Sequence, residues 1–126
     1  MTKRMYVLVN EDLKMSRGKV AAQVAHAVAR LYTHFNIKDE AETCIVLEAT
    51  AEQIRNLETY LDRKGIGNYT YIDEGVNEIP AYSITAMAIE PLEEVHTEWG
   101  SSPTELDTSG LQLLRNNPNK ARKWWE

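Results

Sequence analysis

A short apolar run at residues 5–9 (MYVLV) constrains the fold more than any other feature, because a helix-forming segment follows it closely. The run is rich in β-branched residues and has no polar position, which is typical of a central strand buried on both faces. From residue 19 to about residue 35 there is neither proline nor glycine, and apolar residues recur at helical spacing. The pattern predicts a buried strand followed by a long helix.

Alternating strands and helices continue to about residue 90. Three more segments carry the strand pattern: residues 44–47, 68–72 and 83–89. Thr50 and Gln53 form a capping box that predicts the start of a second helix, and Gly65 marks its end. The order predicts an α/β fold: a three-layer α/β/α single domain with a small four-stranded mixed sheet, whose first two strands are parallel.

The 126-residue chain is long enough for one domain, and its texture changes near residue 95. Polar turn formers follow, with a short helix predicted at residues 109–115 and two tryptophans near the end. We therefore expect a folded domain over residues 1–96 and a C-terminal extension over residues 97–126, which docks on the domain, binds a partner or stays mobile.

The sequence lacks the patterns that indicate a membrane span, a secretion signal or a metal site. No apolar run approaches the roughly 18 residues of a membrane-spanning helix, and no signal-peptide core follows the start, so we expect a cytoplasmic protein without a membrane partner. The lone cysteine, Cys44, lies in an apolar run and is predicted to be buried. The three histidines lack the spacing of a zinc site, and we expect neither metal nor cofactor.

Charge is distributed unevenly along the chain. The net charge is -5, yet residues 1–40 hold seven basic residues against four acids. Several of the basic residues follow the first strand: Lys14, Arg17 and Lys19 lie in the loop that opens the long helix. Backbone N–H groups and the helix dipole reinforce positive charge there, so the loop is a candidate anion site on an otherwise acidic protein.

Two further groups are candidates for the same site. Lys19, Gln23, His26 and Arg30 form one polar stripe along the long helix, which is either the wet face of an amphipathic helix or part of a site. Asp73 ends the third strand on the same face as Tyr69 and Tyr71, and it is either a turn former or a catalytic carboxylate. Ligands of open α/β sheets bind beyond the carboxyl ends of parallel strands, where these groups are expected to meet.

Two segments, DLKMSRGKVAAQVAHA and DEGVNEIPAYSITAMAIEP, resemble the paired signature of the type II peptidyl-tRNA hydrolases. The likeness covers about residues 3–95. It implies a cytoplasmic and often dimeric esterase that needs no metal and cleaves the bond joining a peptide to the 3′ ribose of tRNA. Peptidyl-tRNA is then the substrate, and recycling of tRNA is the purpose.

The resemblance also assigns site residues. Positions that match functional residues of the family are Lys14, Lys19, Gln23, His26, Asp73 and the strand threonine Thr85. Arg17 stands where the family commonly has lysine, and Asn77 stands where it has threonine. Glu74 and Glu78 also depart from the pattern, and carboxylates near a phosphate-binding surface weaken contact with RNA.

These matches give a hypothesis for the chemistry. Asp73 orients or deprotonates the attacking water with help from Asn77, and Lys14 or Lys19 stabilises the oxyanion or binds the terminal phosphate. The residues expected to bind substrate are Arg17, Gln23, His26 and Thr85. Two other readings stay open: a non-catalytic module that binds the tRNA end or a nucleotide, and an interaction protein that uses the tryptophan-bearing extension.

Overall fold

The structure, a computed structural model, describes residues 3–75 and 79–93 and the backbone of residues 112–113. The two helices predicted before residue 90 and all four predicted strands are present. Their bounds are β1 Lys3–Asn10, α1 Arg17–Phe35, β2 Thr43–Ala49, α2 Ala51–Lys64, β3 Asn68–Asp73 and β4 Ser83–Ile89. Two strands of two residues each, β5 Leu92–Glu93 and β6 Gln112–Leu113, were not predicted. Within the described residues, no helix has the length and apolar character to cross a membrane.

The strands form one mixed sheet in the order β3-β4-β1-β2-β6, with β5 paired to β1. β1 and β2 are parallel, as predicted, and β4 is antiparallel to both β1 and β3. β3 therefore runs in the same direction as β1 and β2. The α/β fold class is confirmed, and the two short strands extend the predicted four-stranded sheet.

Helices cover both faces of the sheet because the residues of β1 alternate between two apolar clusters. Tyr6 and Leu8 pack with Ile54 and Leu61 of α2. Met5 and Val7 pack on the other face with α1. Val7 and Leu8 are both fully buried, so the apolar run does form a central strand, and the arrangement has three layers.

Side chains and backbone fix the ends of the helices. The Ser16 hydroxyl accepts a hydrogen bond from the Lys19 N–H and caps α1. Thr50 and Gln53 form the predicted capping box at the start of α2, and Gly65 ends that helix with a φ of 73°. These caps place the amino ends of both helices just beyond the carboxyl ends of β1 and β2.

Two sequence predictions about local structure are wrong. Gln112–Leu113, inside the predicted helix at residues 109–115, pairs antiparallel with β2, whose outer edge offers unpaired backbone groups. Cys44 is exposed, because it lies near the start of β2 beyond the covered part of the sheet. Loss of solvation still raises the pKa of its thiol, opposite to the change that activates a nucleophilic cysteine. Apart from residues 112–113, the extension over 97–126 lies outside the described residues.

Candidate active site

One edge of the sheet gathers the candidate residues. β1, β2 and β3 all end there, so the loop after β1, the amino end of α1 and the last residue of β3 lie at the same edge. The loop is anchored by Met15, whose buried side chain packs with Val9, Val20 and Ile79. Ile79 belongs to the connection between β3 and β4, so one small apolar cluster holds both loops in place.

Asp73 is the centre of a polar cluster at this edge. Its Oδ1 lies 3.5 Å from the Lys19 Nζ and 3.4 Å from the Gln23 Nε2, and its Oδ2 accepts a bond of 2.8 Å from the Gly75 N–H. The side chains of Lys19 and Asp73 are 11% and 13% exposed. The two contacts to Oδ1 are long, and they leave the carboxylate room to accept a further hydrogen bond.

These contacts keep Asp73 ionised. The Gly75 N–H contributes most, followed by the charge of Lys19, and together they hold the pKa of Asp73 below its ordinary value. Partial loss of solvation acts in the opposite direction and is outweighed. A carboxylate with a lowered pKa is a weak base, so it is better suited to orient a water molecule than to remove its proton completely.

Gln23 is held from its other side by Thr85. The Thr85 hydroxyl donates a bond of 2.6 Å to the Gln23 Oε1, while the Gln23 Nε2 points to Asp73. Gln23 is 2% exposed and Thr85 is fully buried. Because a carboxylate only accepts hydrogen bonds, the amide must turn its nitrogen towards Asp73, and the hydroxyl stabilises that orientation. The described contact of Thr85 in the site is therefore with Gln23, and its predicted role in binding substrate stays a prediction.

A β-bulge explains how Thr85 reaches Gln23. Tyr71 pairs with Ala86 but Ile72 pairs with Ile84, so Thr85 is an extra residue in β4. Ile84 packs in the α2 cluster and Ala86 in the α1 cluster, and Thr85 bonds to α1 as well. Two consecutive residues of β4 therefore face α1. Sequence reasoning did not predict this bulge.

Gly75 is a second feature that sequence reasoning missed as part of the site. Its φ is 79°, and a Cβ at this position would collide with the backbone of Ala81. Only glycine satisfies both conditions without strain. This sharp turn directs the Gly75 N–H towards the Asp73 carboxylate, and the resulting hydrogen bond positions that carboxylate.

Asn10 is the third such feature. Its buried side chain donates a bond of 2.8 Å to the Ile84 carbonyl and accepts one from the Asp12 N–H. It joins the start of the β1–α1 loop to the residue before the bulge. Asp12 in turn accepts a bond from the Ala51 N–H at the amino end of α2. A polar residue directly after the apolar run at residues 5–9 was the available sequence signal.

In the part of the chain that the structure describes, Lys14 and His26 form no hydrogen bond or ion pair with Asp73. Lys14 is exposed and has a φ of 38°, and its side chain makes no hydrogen bond or ion pair within the described part of the chain. Arg17 is exposed in the first turn of α1. His26 lies farther along α1, where its ring stacks on Tyr71 with centroids 4.9 Å apart. Asn77 lies outside the described residues.

This end of the sheet combines a helix without acidic residues, the lysines Lys14 and Lys19, and the largely buried carboxylate of Asp73. Such a set is suited to the hydrolysis of a polar bond next to an anionic group. Across residues 3–75 and 79–93, no group of three or more histidine, cysteine or acidic residues is arranged to hold a metal ion. The expectation of no metal and no cofactor stays a prediction.

Comparison with known proteins gives consistent results. The family model described as peptidyl-tRNA hydrolase PTH2 matches residues 3–98. A peptidyl-tRNA hydrolase of Thermococcus sibiricus is 34% identical over 70% of this chain and 83% of its own length. One of Thermoplasma acidophilum is 33% identical over 75% and 89%, respectively. A probable peptidyl-tRNA hydrolase 2 of Caenorhabditis elegans is 31% identical over 90% of this chain and 37% of its own length. The chain belongs to the peptidyl-tRNA hydrolase PTH2 family.

Proposed function

We propose that this protein hydrolyses the ester bond between the peptide and the 3′ ribose of tRNA in peptidyl-tRNA, and so recycles tRNA. Membership of the family supports this function. The observation that carries it is the Asp73 cluster, in which one carboxylate is held by Lys19, Gln23 and the Gly75 N–H at the sheet edge. Ester hydrolysis requires a hydrogen-bond acceptor for the attacking water and a group that stabilises the negative charge on the carbonyl oxygen. A fixed carboxylate beside an ammonium group provides both.

Asp73 is proposed to orient the attacking water. Three of its roughly four acceptor positions are engaged by the protein, which leaves one for a water hydrogen. The water oxygen bonds to the carbonyl carbon and the bond from that carbon to the ribose oxygen breaks. The proton that the attacking water loses is taken up by the ribose oxygen, which gives a peptide carboxyl group and a free 3′ hydroxyl. Asn77, three residues before Pro80, is proposed to assist in holding the water.

The two lysines are proposed to divide the anionic groups between them. Lys19 already contacts Asp73 through one of its three N–H donors, so the others can meet the oxyanion that forms near that carboxylate. Lys14 is exposed in the loop and is better placed to meet the terminal phosphate. Arg17 and His26 are proposed to bind the RNA side of the substrate, while Gln23, held by Thr85, fixes the carboxylate.

The setting of this activity is also part of the proposal. We expect it to reside in residues 1–96, in a cytoplasmic protein that can form a homodimer, with residues 97–126 as an extension. The paired backbone at Gln112–Leu113 is the described point at which the extension meets the sheet.

Hydrolysis and binding alone are separated by one assay. Purified protein is incubated with peptidyl-tRNA labelled in the peptide, and both release of the peptide and retention of the tRNA are followed. Release that is proportional to enzyme concentration supports the proposal. Salt-dependent binding without release would instead identify the non-catalytic module that binds the tRNA end.

A further inference from the structure

The charge of α1 differs from that of the rest of the protein. Residues 17–35 contain Arg17, Lys19 and Arg30 and no acidic residue, in a chain whose net charge is -5. On the opposite face of the sheet, α2 carries three acids and three basic residues. A polyanion is therefore attracted to the α1 face of the domain rather than to the α2 face.

Cationic and aromatic side chains are stacked along this face, beside β3. Tyr71 lies against the His26 ring, with planes 14° apart, and the Arg30 Cζ lies 5.5 Å from the centroid of the same tyrosine. Both His26 and Arg30 are exposed. The tyrosine holds the guanidinium plane in place by a cation–π contact while leaving the charge open to solvent.

The same pattern continues one helical turn further. The His34 ring meets Tyr69 edge-on at 5.8 Å and Phe35 at 4.7 Å. Phe35 is 45% exposed. We call this set the α1–β3 strip. Its members are His26, Arg30, His34, Phe35, Tyr69 and Tyr71.

The strip begins next to the Asp73 cluster and leads away from it. Lys19 contacts Asp73, and His34 lies 15 positions further along α1, about 22 Å at the usual rise of a helix. Among the described strands β3 is the outermost strand of the sheet, so no described strand pairs with its free side. Glu90, bonded to the Gly67 N–H near Phe35, ends the strip with an acidic group.

We propose that the α1–β3 strip binds the RNA side of the substrate, with the 3′-terminal nucleotides lying along α1 when the ester is at Asp73. This inference rests on the proposed function, because a substrate with one polyanionic side needs a cationic path leading from the reaction centre. Exposed rings give unpaired bases surfaces on which to stack, and Arg30 supplies a phosphate contact.

Binding of deacylated tRNA, which has no ester to cleave, tests the strip independently of hydrolysis. Affinities of the full-length protein are measured across a salt series for wild type, Arg30→Gln, Arg30→Lys and the matched control Arg55→Gln on α2. We expect Arg30→Gln to weaken binding about 5- to 10-fold and to reduce the salt slope by about one. Arg30→Lys keeps the slope but binds more weakly than wild type, and Arg55→Gln stays within about twofold.

Three outcomes would overturn the strip. The first is unchanged tRNA binding by Arg30→Gln, and the second is an equal loss of tRNA affinity in Arg55→Gln. The third is a changed sedimentation rate of Arg30→Gln with unchanged tRNA binding, which would make the strip a contact between copies of this chain. Peptide release by the wild type is measured in parallel. Absence of release overturns the proposed function, whereas the tRNA affinities decide the strip.

Discussion

Replacing Thr85 by valine tests how the active carboxylate is oriented. Valine has nearly the same shape as threonine, so the change removes the hydroxyl that donates to the Gln23 Oε1 and leaves the packing in place. Gln23 is almost completely buried, so no water is at hand to replace the lost donor. The amide is then free to rotate, and its nitrogen leaves Asp73 for part of the time.

The size of both effects follows from these contacts. A buried acceptor without a partner costs about 1–3 kcal/mol, so we expect the free energy of unfolding to fall by that amount. For a chain of this size the melting temperature drops by roughly 3–5 °C for each kcal/mol. Loss of a group that orients a catalytic residue typically lowers activity about 10- to 100-fold, and we expect that loss in kcat, with KM little changed.

Two further variants separate orientation from stability. Thr85→Ser restores the hydroxyl and is expected to recover most of kcat. Thr70→Val is the matched control, because the Thr70 hydroxyl donates a bond of 2.7 Å to Glu58 on the α2 face. It should lower stability without lowering kcat. Steady-state hydrolysis of peptidyl-tRNA and thermal melts give both quantities. The reasoning is wrong if Thr85→Val keeps wild-type kcat, or if Thr70→Val loses as much activity.

Three more predictions follow from the described residues. Gly75→Ala is expected to lower the free energy of unfolding by about 2 kcal/mol or more, because φ is positive and the added Cβ would collide with Ala81. Gly18→Ala has open space in α1 and should raise the free energy of unfolding by about 0.4–1 kcal/mol. Denaturant melts measure both values, and equal effects would contradict the geometry. Lys19→Met removes a charge that lowers the pKa of Asp73, so that pKa should rise and the acid limb of kcat/KM should move to higher pH; carbon NMR of the carboxyl group gives an independent value, and an unchanged pKa would refute the pairing. Cys44→Ala should leave the rate of hydrolysis unchanged, because the thiol is remote from the site and its pKa is raised; a large loss would point to thiol chemistry.

The direction of the pH effect follows from the lowered pKa of Asp73. A carboxyl group whose pKa is lower in the folded than in the unfolded state stabilises the fold above the unfolded pKa. That contribution is lost as the pH falls through the folded pKa. Asp73 should therefore remain ionised throughout the range from pH 5 to 7, and its own titration should produce no loss of stability or activity there.

The main elements could be predicted because local patterns and burial agree. The apolar run of β1, the helical spacing in α1 and the Thr50–Gln53 capping box each favour one structure, and the structure contains all three. The contact of Lys19 and Gln23 with Asp73 also followed from local features, namely a helix stripe and a strand end at the same sheet edge.

The details that orient the site depend on tertiary contacts and could not be read from local patterns. The bulge at Thr85 changes which face that residue occupies, although the sequence of β4 contains no glycine or proline that would indicate a break in the strand. The need for glycine at position 75 arises from the approach of Ala81, which no sequence pattern records. The prediction of a helix at residues 109–115 failed because the backbone of Gln112–Leu113 pairs with the open edge of β2.

Single-turnover cleavage of peptidyl-tRNA by Asp73→Asn tests the central claim most directly. Asp39→Asn is the matched control, since Asp39 is also paired with a lysine, Lys3, but lies near the start of β1, at the opposite edge of the sheet. We expect the Asp73 variant to cleave about 100-fold more slowly or worse, and the Asp39 variant to match the wild type. Equal rates for Asp73→Asn and the wild type would contradict the account, because hydrolysis would then not depend on that carboxylate.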